Sequence, residues 1–523
     1  MPGYLRNPVL AGFEPDPSIV RVGGDYYIAT STFEWYPGVR LHHSRDLASW
    51  RPIGGALRTL EQLDLRGVPD SGGIWAPCLS HADGMFHLVY TIVDNYAEGW
   101  KDIANYVLTA PSVEGPWSEP AYLHGRGWDA SLFHDDDGRS WLLNMIYDWR
   151  GDRPSFAGIE IQQYDRRTRK LLGDARKIFD GTGAGVTEGP HLYRRDGWYY
   201  LVVAEGGTGV EHQVTVARSA GLFGPYETDP GGPALTAKHD RTLPFQKAGH
   251  GSLVQTPAGH WYMTHLVARP YRQAKDSRSV LGRETAIQEV EWSEDGWPRV
   301  PAGVPHAEVP IIEAEPESGP GASSPEQDSS SDQDFEADWS TLRRPLSPDW
   351  IRLGDEVTIT GGQSPAGRRA PSLLAHRVTS PQCSLSAVVA FEPGSVDDLA
   401  GITAYYNTRN WHYVYITAAD DGAPYIAALS CVGGKLIAHG ERQAASRGER
   451  VALSVIFDGA VLRLEPLGVE VDATTLSDEH ADEFADGVVR TFGFTGAMLG
   501  LWVIDLSGSG EAARFSHVSY RAR

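Results

Sequence analysis

Residues 12–31 read GFEPDPSIVRVGGDYYIATS, and this stretch is the first of five copies of one phrase. The others are APCLSHADGMFHLV at 76–89, DASLFHDDDGRSWLL at 129–143, GPHLYRRDGWYYLV at 189–202 and HGSLVQTPAGHWYMT at 250–264. Each opens on small or polar residues and then places an aliphatic anchor: Ile19, Leu79, Leu132, Leu192 and Leu253. A turn with glycine follows (Gly24, Gly84, Gly138, Gly197, Gly259), and then an aromatic-rich run. Strand, glycine turn, strand is the signature of a β-hairpin. Successive anchors lie 53 to 61 residues apart, a repeat length of the propeller and solenoid class.

A second strand pair follows most hairpins, for example in VRLHHSRDLASWRPIG and VTVARSAGLFGPYETD. Four strands per repeat with little helical periodicity predict propeller blades. Five repeats predict a five-bladed β-propeller over residues 1–312. Equivalent positions in different blades share a radius and a height, and the start of each innermost strand lines the central channel. The residue three before each anchor is Asp16, Ala76, Asp129, Gly189 and His250, with Trp75 and Glu188 one step earlier in their copies. Residues more than two hundred positions apart are thereby expected to meet at one end of the channel.

Taken alone, Asp16 between Pro15 and Pro17 reads as turn chemistry in a restricted backbone. Its recurrence with Asp129, Glu188 and His250 at one repeat position points elsewhere. Converging carboxylates repel each other and need a reason to be together, either a structural cation or plug of water, or chemistry. Glycosidic bond hydrolysis uses two carboxyls, one protonated toward the leaving oxygen and one ionised, and a third nearby carboxylate raises the acid's pKa. With 16 Trp, 22 Tyr and 15 Phe the chain also has the aromatic faces on which sugar rings pack, although core packing is their default use.

The remaining composition narrows the partners. At 523 residues and a net charge of −22, with no basic stripe, the chain is a poor match for nucleic acid or an anionic membrane surface. Cys78, Cys383 and Cys431 are too scattered for a disulfide framework or a metal knuckle. MPGYLRNPVLAGF lacks a signal-type apolar run, so a cytoplasmic enzyme is expected.

The segments NPVLAGFEPDPSIVRVGGDYYIATSTFEWYPGV, GGIWAP, WDASLFHDDDG, TEGPHLY, GHGSLVQT and LGRETA, in this order, resemble glycoside hydrolase family 43, most closely its β-xylosidases with a C-terminal β-sandwich. The resemblance implies an inverting reaction. Asp16 would be the general base, Glu188 the general acid, and Asp129 the residue that tunes and orients the acid. It also implies a substrate pocket with Phe33 and Trp75 as apolar walls, Arg283 as a donor to sugar hydroxyls, His250 beside Asp16 or on the channel floor, and Thr208, from AEGGTG, as a further substrate-binding residue. Arg283 as a plain ion-pair residue, His250 as a core histidine, and Phe33 and Trp75 as core aromatics are the structural alternatives. No cofactor is required on this reading. A calcium ion near His250, held by some members of the family, stays open, because one histidine in GHGS is not a metal site by spacing.

Residues 313–334 are rich in Pro, Ser and acidic residues and read as a linker. Beyond it, short strands with frequent turns over 335–523 predict a β-sandwich of jelly-roll or concanavalin type. Such a domain could be a carbohydrate-binding module. The resemblance implies instead that its FGFTGAMLG segment closes the pocket, with Phe494 near the substrate; Met498 and Leu499 depart from the aromatic–aliphatic pair common there. The expectation is an all-β, exo-acting β-1,4-xylosidase acting on the non-reducing ends of xylo-oligosaccharides. An α-L-arabinofuranosidase or a bifunctional enzyme is the near alternative, and a non-catalytic sugar-binding propeller the distant one. Family members of this architecture often form dimers or tetramers.

Overall fold

A computed structural model describes residues 3–97, 99–272, 277–311, 337–485 and 488–523. The linker expected at 313–334 lies outside the described residues. Each repeat of the phrase is a separate antiparallel sheet, built outward from the predicted hairpin. In the first blade Ser18–Val22 pairs with Asp25–Thr30, which pairs with Gly38–Ser44 and then Arg51–Leu57. The second blade runs from Gly73–Ala82 to Ala121–His124, the third from Ser131–His134 to Lys170–Phe179, the fourth from Glu188–Arg195 to Glu227–Thr228, and the fifth from Gln246–Gln255 to Pro298–Arg299. These are the five blades of a propeller. Gly3–Arg6 pairs with Glu308–Ile311, tying the start of the domain to its end.

The five equivalent positions share one backbone shape. Asp16, Ala76, Asp129, Gly189 and His250 all have positive φ, at 55°, 31°, 55°, 57° and 55°. Residues before proline usually take the extended region, and Asp16 does not. For a non-glycine residue the left-handed region costs about 1 kcal/mol or more, so four such residues at one level of a channel mark a constrained site. In the second, fourth and fifth blades the strand register slips at this point, between Trp75 and Cys78, Glu188 and His191, and Gly249 and Ser252. A bulge of this kind re-aims the side chains beside it.

The second domain is a sandwich of an eight-stranded and a seven-stranded antiparallel sheet. Burial alternates along Gln382–Ala390, and Leu385, Ala387 and Val389 pack with Ile402, Val414, Leu501 and Phe515 between the sheets. Met498 and Leu499, where the sequence departs from the common family pattern, are buried at the start of the strand Met498–Asp505.

The two domains interlock. Trp35–Tyr36, from a loop of the first blade, pairs with Thr341 and Leu342 as an edge of the sandwich sheet. Val280 and Leu281 of the propeller belong to the sandwich core. Gly282, at φ 73°, abuts the sandwich so closely that a Cβ there would sit 2.1 Å from the Thr495 carbonyl oxygen. Buried ion pairs cross the interface: Arg343 donates to Asp70 at 2.7 Å, and Arg377 lies 3.3 Å from Glu14, which also faces Arg40 at 3.1 Å. Among the described residues no helix is long and apolar enough to cross a membrane.

Candidate active site

A cavity of about 460 Å³ opens at the end of the channel where the five phrases converge. All nine residues expected from the sequence line it: Asp16, Asp129, Glu188, Phe33, Trp75, Thr208, His250, Arg283 and Phe494. The three carboxylates are only 6%, 8% and 9% exposed (Asp16, Asp129 and Glu188 in turn), so each feels a low-dielectric surrounding.

Their surroundings nevertheless differ. Arg283 Nη1 donates to Asp16 Oδ1 at 3.0 Å, and Ser31 Oγ donates to Asp16 Oδ2 at 2.7 Å. His250 Nδ1 stands 4.0 Å from the same Oδ1. Burial opposes the charge on Asp16, but the Arg283 guanidinium and then the Ser31 hydrogen bond outweigh it and hold the carboxyl below the ordinary aspartate range. Glu188 has a weaker claim to charge. Trp128 Nε1 donates to its Oε2 at 3.1 Å, yet burial dominates and, with Asp16 nearby, pushes its pKa up to about 7. Asp129 is raised as well, by burial first and then by Glu188 and Asp16, although the Gly189 N–H donates to its Oδ2 at 3.1 Å. Asp129 and Glu188 therefore titrate as a pair that retains a proton more readily than Asp16 does.

Gly189 makes this packing feasible: a Cβ there would sit 3.0 Å from His250 Cε1. His250 is buried, and burial lowers its pKa despite Asp16, so it faces Asp16 as a neutral imidazole near neutral pH. A hard divalent cation takes six to eight oxygens, so one beside His250 would draw most of them from water. Asp16 is already engaged by Arg283 and Ser31, and among the described residues no group of three His, Cys, Asp or Glu side chains is arranged to hold a metal.

Aromatic rings wall the pocket. Phe33 lies 6.4 Å from Trp75 and 6.0 Å from Phe494, centroid to centroid. Arg283 Nη2 donates to the Phe494 carbonyl at 3.2 Å, so one guanidinium joins the propeller carboxylate to the sandwich loop. Thr208 is half-buried at the rim.

Several pocket residues escaped the sequence reading. Trp128 stands beside Asp129 in the WDASLF motif, and that adjacency was a usable signal. Phe492, two residues before Phe494, stacks on it at 4.3 Å, and Tyr96 lies 4.8 Å from Phe492. His212 is buried with Nδ1 3.1 Å from the Lys247 carbonyl, which fixes the proton on that nitrogen, and burial lowers its pKa to about 3. Ser71 holds the sandwich loop in place: its Oγ donates to the Phe492 carbonyl at 2.7 Å and accepts from the Phe494 N–H at 3.2 Å. Nothing in the local sequence announces that role.

Comparison with known proteins gives matches over both domains. The sequence model for glycosyl hydrolases family 43 matches residues 5–298, and that for the β-xylosidase C-terminal concanavalin A-like domain matches residues 328–521. A xylosidase/arabinosidase 43B of Humicola insolens is 42% identical over 99% of this chain and 97% of its own. A β-xylosidase of Bacillus subtilis strain 168 is 39% identical over 99% of this chain and 100% of its own. The crystal structure of a xylan β-1,4-xylosidase from Bacillus halodurans C-125 superposes with a TM-score of 0.91 at 42% identity, covering 99% of this chain and 100% of that one.

Proposed function

The chain belongs to glycosyl hydrolase family 43, and on that premise we propose that it is an exo-acting β-1,4-xylosidase releasing D-xylose from the non-reducing ends of xylo-oligosaccharides with inversion. The observation that carries the reading is the split between two carboxyls facing one aromatic pocket: Asp16 held ionised by Arg283, and Glu188 kept protonated toward neutrality. A pair of titratable groups with environments that push their pKa values apart is how acid and base roles are divided.

The terminal sugar sits between Phe33, Trp75 and Phe494, with Arg283 donating to its hydroxyls. Asp16 accepts a proton from water as the water oxygen bonds to the anomeric carbon. Glu188 gives its proton to the glycosidic oxygen as that carbon–oxygen bond breaks. The products are xylose and a chain shorter by one residue; Asp16 then loses its proton to solvent and Glu188 regains one. Asp129 accepts from the Gly189 N–H and so positions the strand that carries Glu188, while Glu188 in turn opposes ionisation of Asp129. Closure of the pocket by the sandwich loop favours chain ends over chain interiors. No metal enters this scheme.

The printed names of relatives include xylosidase/arabinosidase, so activity on α-L-arabinofuranosides is the second reading. The three free, buried cysteines suit a reducing compartment, and we place the enzyme in the cytoplasm. Initial rates on aryl β-D-xyloside and aryl α-L-arabinofuranoside, with and without a chelator, test the reading. A xyloside preference insensitive to chelation supports it. An arabinoside preference overturns the substrate assignment, and chelator-sensitive turnover overturns the metal-free scheme.

A further inference from the structure

Outside the pocket two tryptophans are stacked in solvent. Trp100 is 61% exposed and Trp149 54% exposed, yet their rings lie 4.2 Å apart at 30°. Trp100 follows the second strand of its blade, Met85–Asn95, and Trp149 follows the second strand of the next blade, Ser140–Tyr147. Large apolar side chains left together in water mark a binding surface more often than a packing need.

The pair is continuous with the catalytic pocket. Gly99 and Lys101, which flank Trp100, line the cavity, as do Tyr147, Ser155 and Phe156 around Trp149. The Tyr147 hydroxyl donates to the Gly99 carbonyl, joining the two loops. Lys101 Nζ donates to the Tyr96 carbonyl at 2.8 Å and lies 5.5 Å over the Tyr147 ring. The Asp148 N–H donates to the Ser155 carbonyl at 2.8 Å, which closes the second loop at its base. The platform is thus held to the pocket wall by hydrogen bonds from the Tyr147 hydroxyl, Lys101 Nζ and the Asp148 N–H to backbone carbonyls.

Its side of the pocket is defined by Glu188. Trp128, the donor to Glu188, packs 5.5 Å from Tyr147 and 5.4 Å from Phe156. The acid, Trp128, Tyr147 and the exposed pair form one rail leading outward. Asp16, Arg283 and Phe33 form a separate group, with Arg283 5.6 Å from the Phe33 ring centre. A general acid faces the leaving group, so the rail lies on the leaving-group side.

We propose that Trp100 and Trp149 form a distal subsite that stacks against a pyranose of the leaving chain beyond the residue next to the scissile bond. The inference rests on the glycosidase reading given above. An uncharged, equatorially substituted xylopyranose offers C–H faces to such a surface and requires no charged partner.

The test compares kcat/KM for aryl β-D-xyloside, xylobiose, xylotriose and xylotetraose in the unaltered enzyme, in Trp100→Ala/Trp149→Ala and in Trp100→Phe/Trp149→Phe. The proposal expects the ratio of xylotetraose to aryl xyloside to fall about tenfold in the alanine variant, the scale of losing an aromatic anchor, with partial retention in the phenylalanine variant. Taking a ratio removes any uniform loss from poor folding. An unchanged ratio in both variants overturns the subsite and leaves the glycosidase reading intact. An unchanged ratio with a switch from dimer to monomer by light scattering also overturns it and assigns the pair to contact between copies. If the unaltered enzyme turns over none of these xylosides, the glycosidase reading fails and the subsite falls with it.

Discussion

Arg283 donates to Asp16 at 3.0 Å from one nitrogen and to the Phe494 carbonyl at 3.2 Å from the other. One planar fork therefore sets the ionisation of the proposed base and the position of the sandwich loop that covers it. Lysine, a single point charge, has no such fork. Arg283→Ala is expected to lower kcat/KM by about 10²–10³, the range for removing a positioned donor from a water-poor site. It also takes away the strongest influence lowering the Asp16 pKa, so the acidic limb of the pH–rate profile should move upward. Arg283→Lys should recover part of the limb shift but little of the rate.

The pH profile of kcat/KM follows from the two carboxyls. Asp16 must be ionised, and its pKa lies below the ordinary 3.8, so activity should persist to unusually low pH before it falls. Glu188 must be protonated, so activity should decline as pH rises through about 7. Stability has its own sign. A carboxyl raised from 4.5 to about 7 binds more protons in the folded than in the unfolded state across that window, so it lowers stability as pH climbs through it. Glu188→Gln should abolish that decline and exceed the unaltered enzyme at pH 8 by on the order of 2 kcal/mol, measured by urea unfolding at pH 5 and pH 8.

Ser71→Ala removes both hydrogen bonds that hold Phe492 and Phe494 over the pocket. Two bonds at about 1 kcal/mol each predict a kcat/KM loss of roughly five- to thirtyfold, carried mainly by KM. The alkaline limb should stay in place, because Ser71 is not among the groups acting on Glu188. A shifted limb would show that Ser71 acts on the acid and not on the loop.

Asp70 accepts from Arg343 and Thr408 in the buried interface between the domains. Asp70→Ala leaves the Arg343 guanidinium buried without its carboxylate, and a loss of about 3–5 kcal/mol is expected in thermal or denaturant unfolding. Replacing the exposed Asp196, which pairs with Arg195 at the surface, should change stability by less than about 1 kcal/mol.

The sequence revealed the propeller because its repeats are long, ordered and anchored, and the same periodicity brought Asp16, Asp129, Glu188 and His250 together. Alignment of the copies even marked Ala76 and Gly189, whose left-handed backbone matches that of the polar residues at the other three positions. What stayed hidden was contact between domains. Trp35–Tyr36 is a two-residue strand inside a loop, too short for any alternation to show. Ser71 is one hydroxyl whose partners lie more than 400 positions away. Phe494 was reached only through resemblance, because no periodicity tells which loop of one domain covers the channel of another. The stacked pair Trp100 and Trp149 was counted among the aromatics, but a count does not distinguish a ring in the core from one in water.

The most direct measurement is the activity of Glu188→Gln on two β-xylosides, one with a 2,4-dinitrophenolate leaving group and one a xylobiose. A general acid is needed only when the leaving oxygen is basic. The proposed roles predict a loss of about 10³ or more on xylobiose, a far smaller loss on the dinitrophenyl xyloside, and retained xylobiose binding. Equal losses on both substrates, or full activity on xylobiose, would contradict the assignment of Glu188 as the acid.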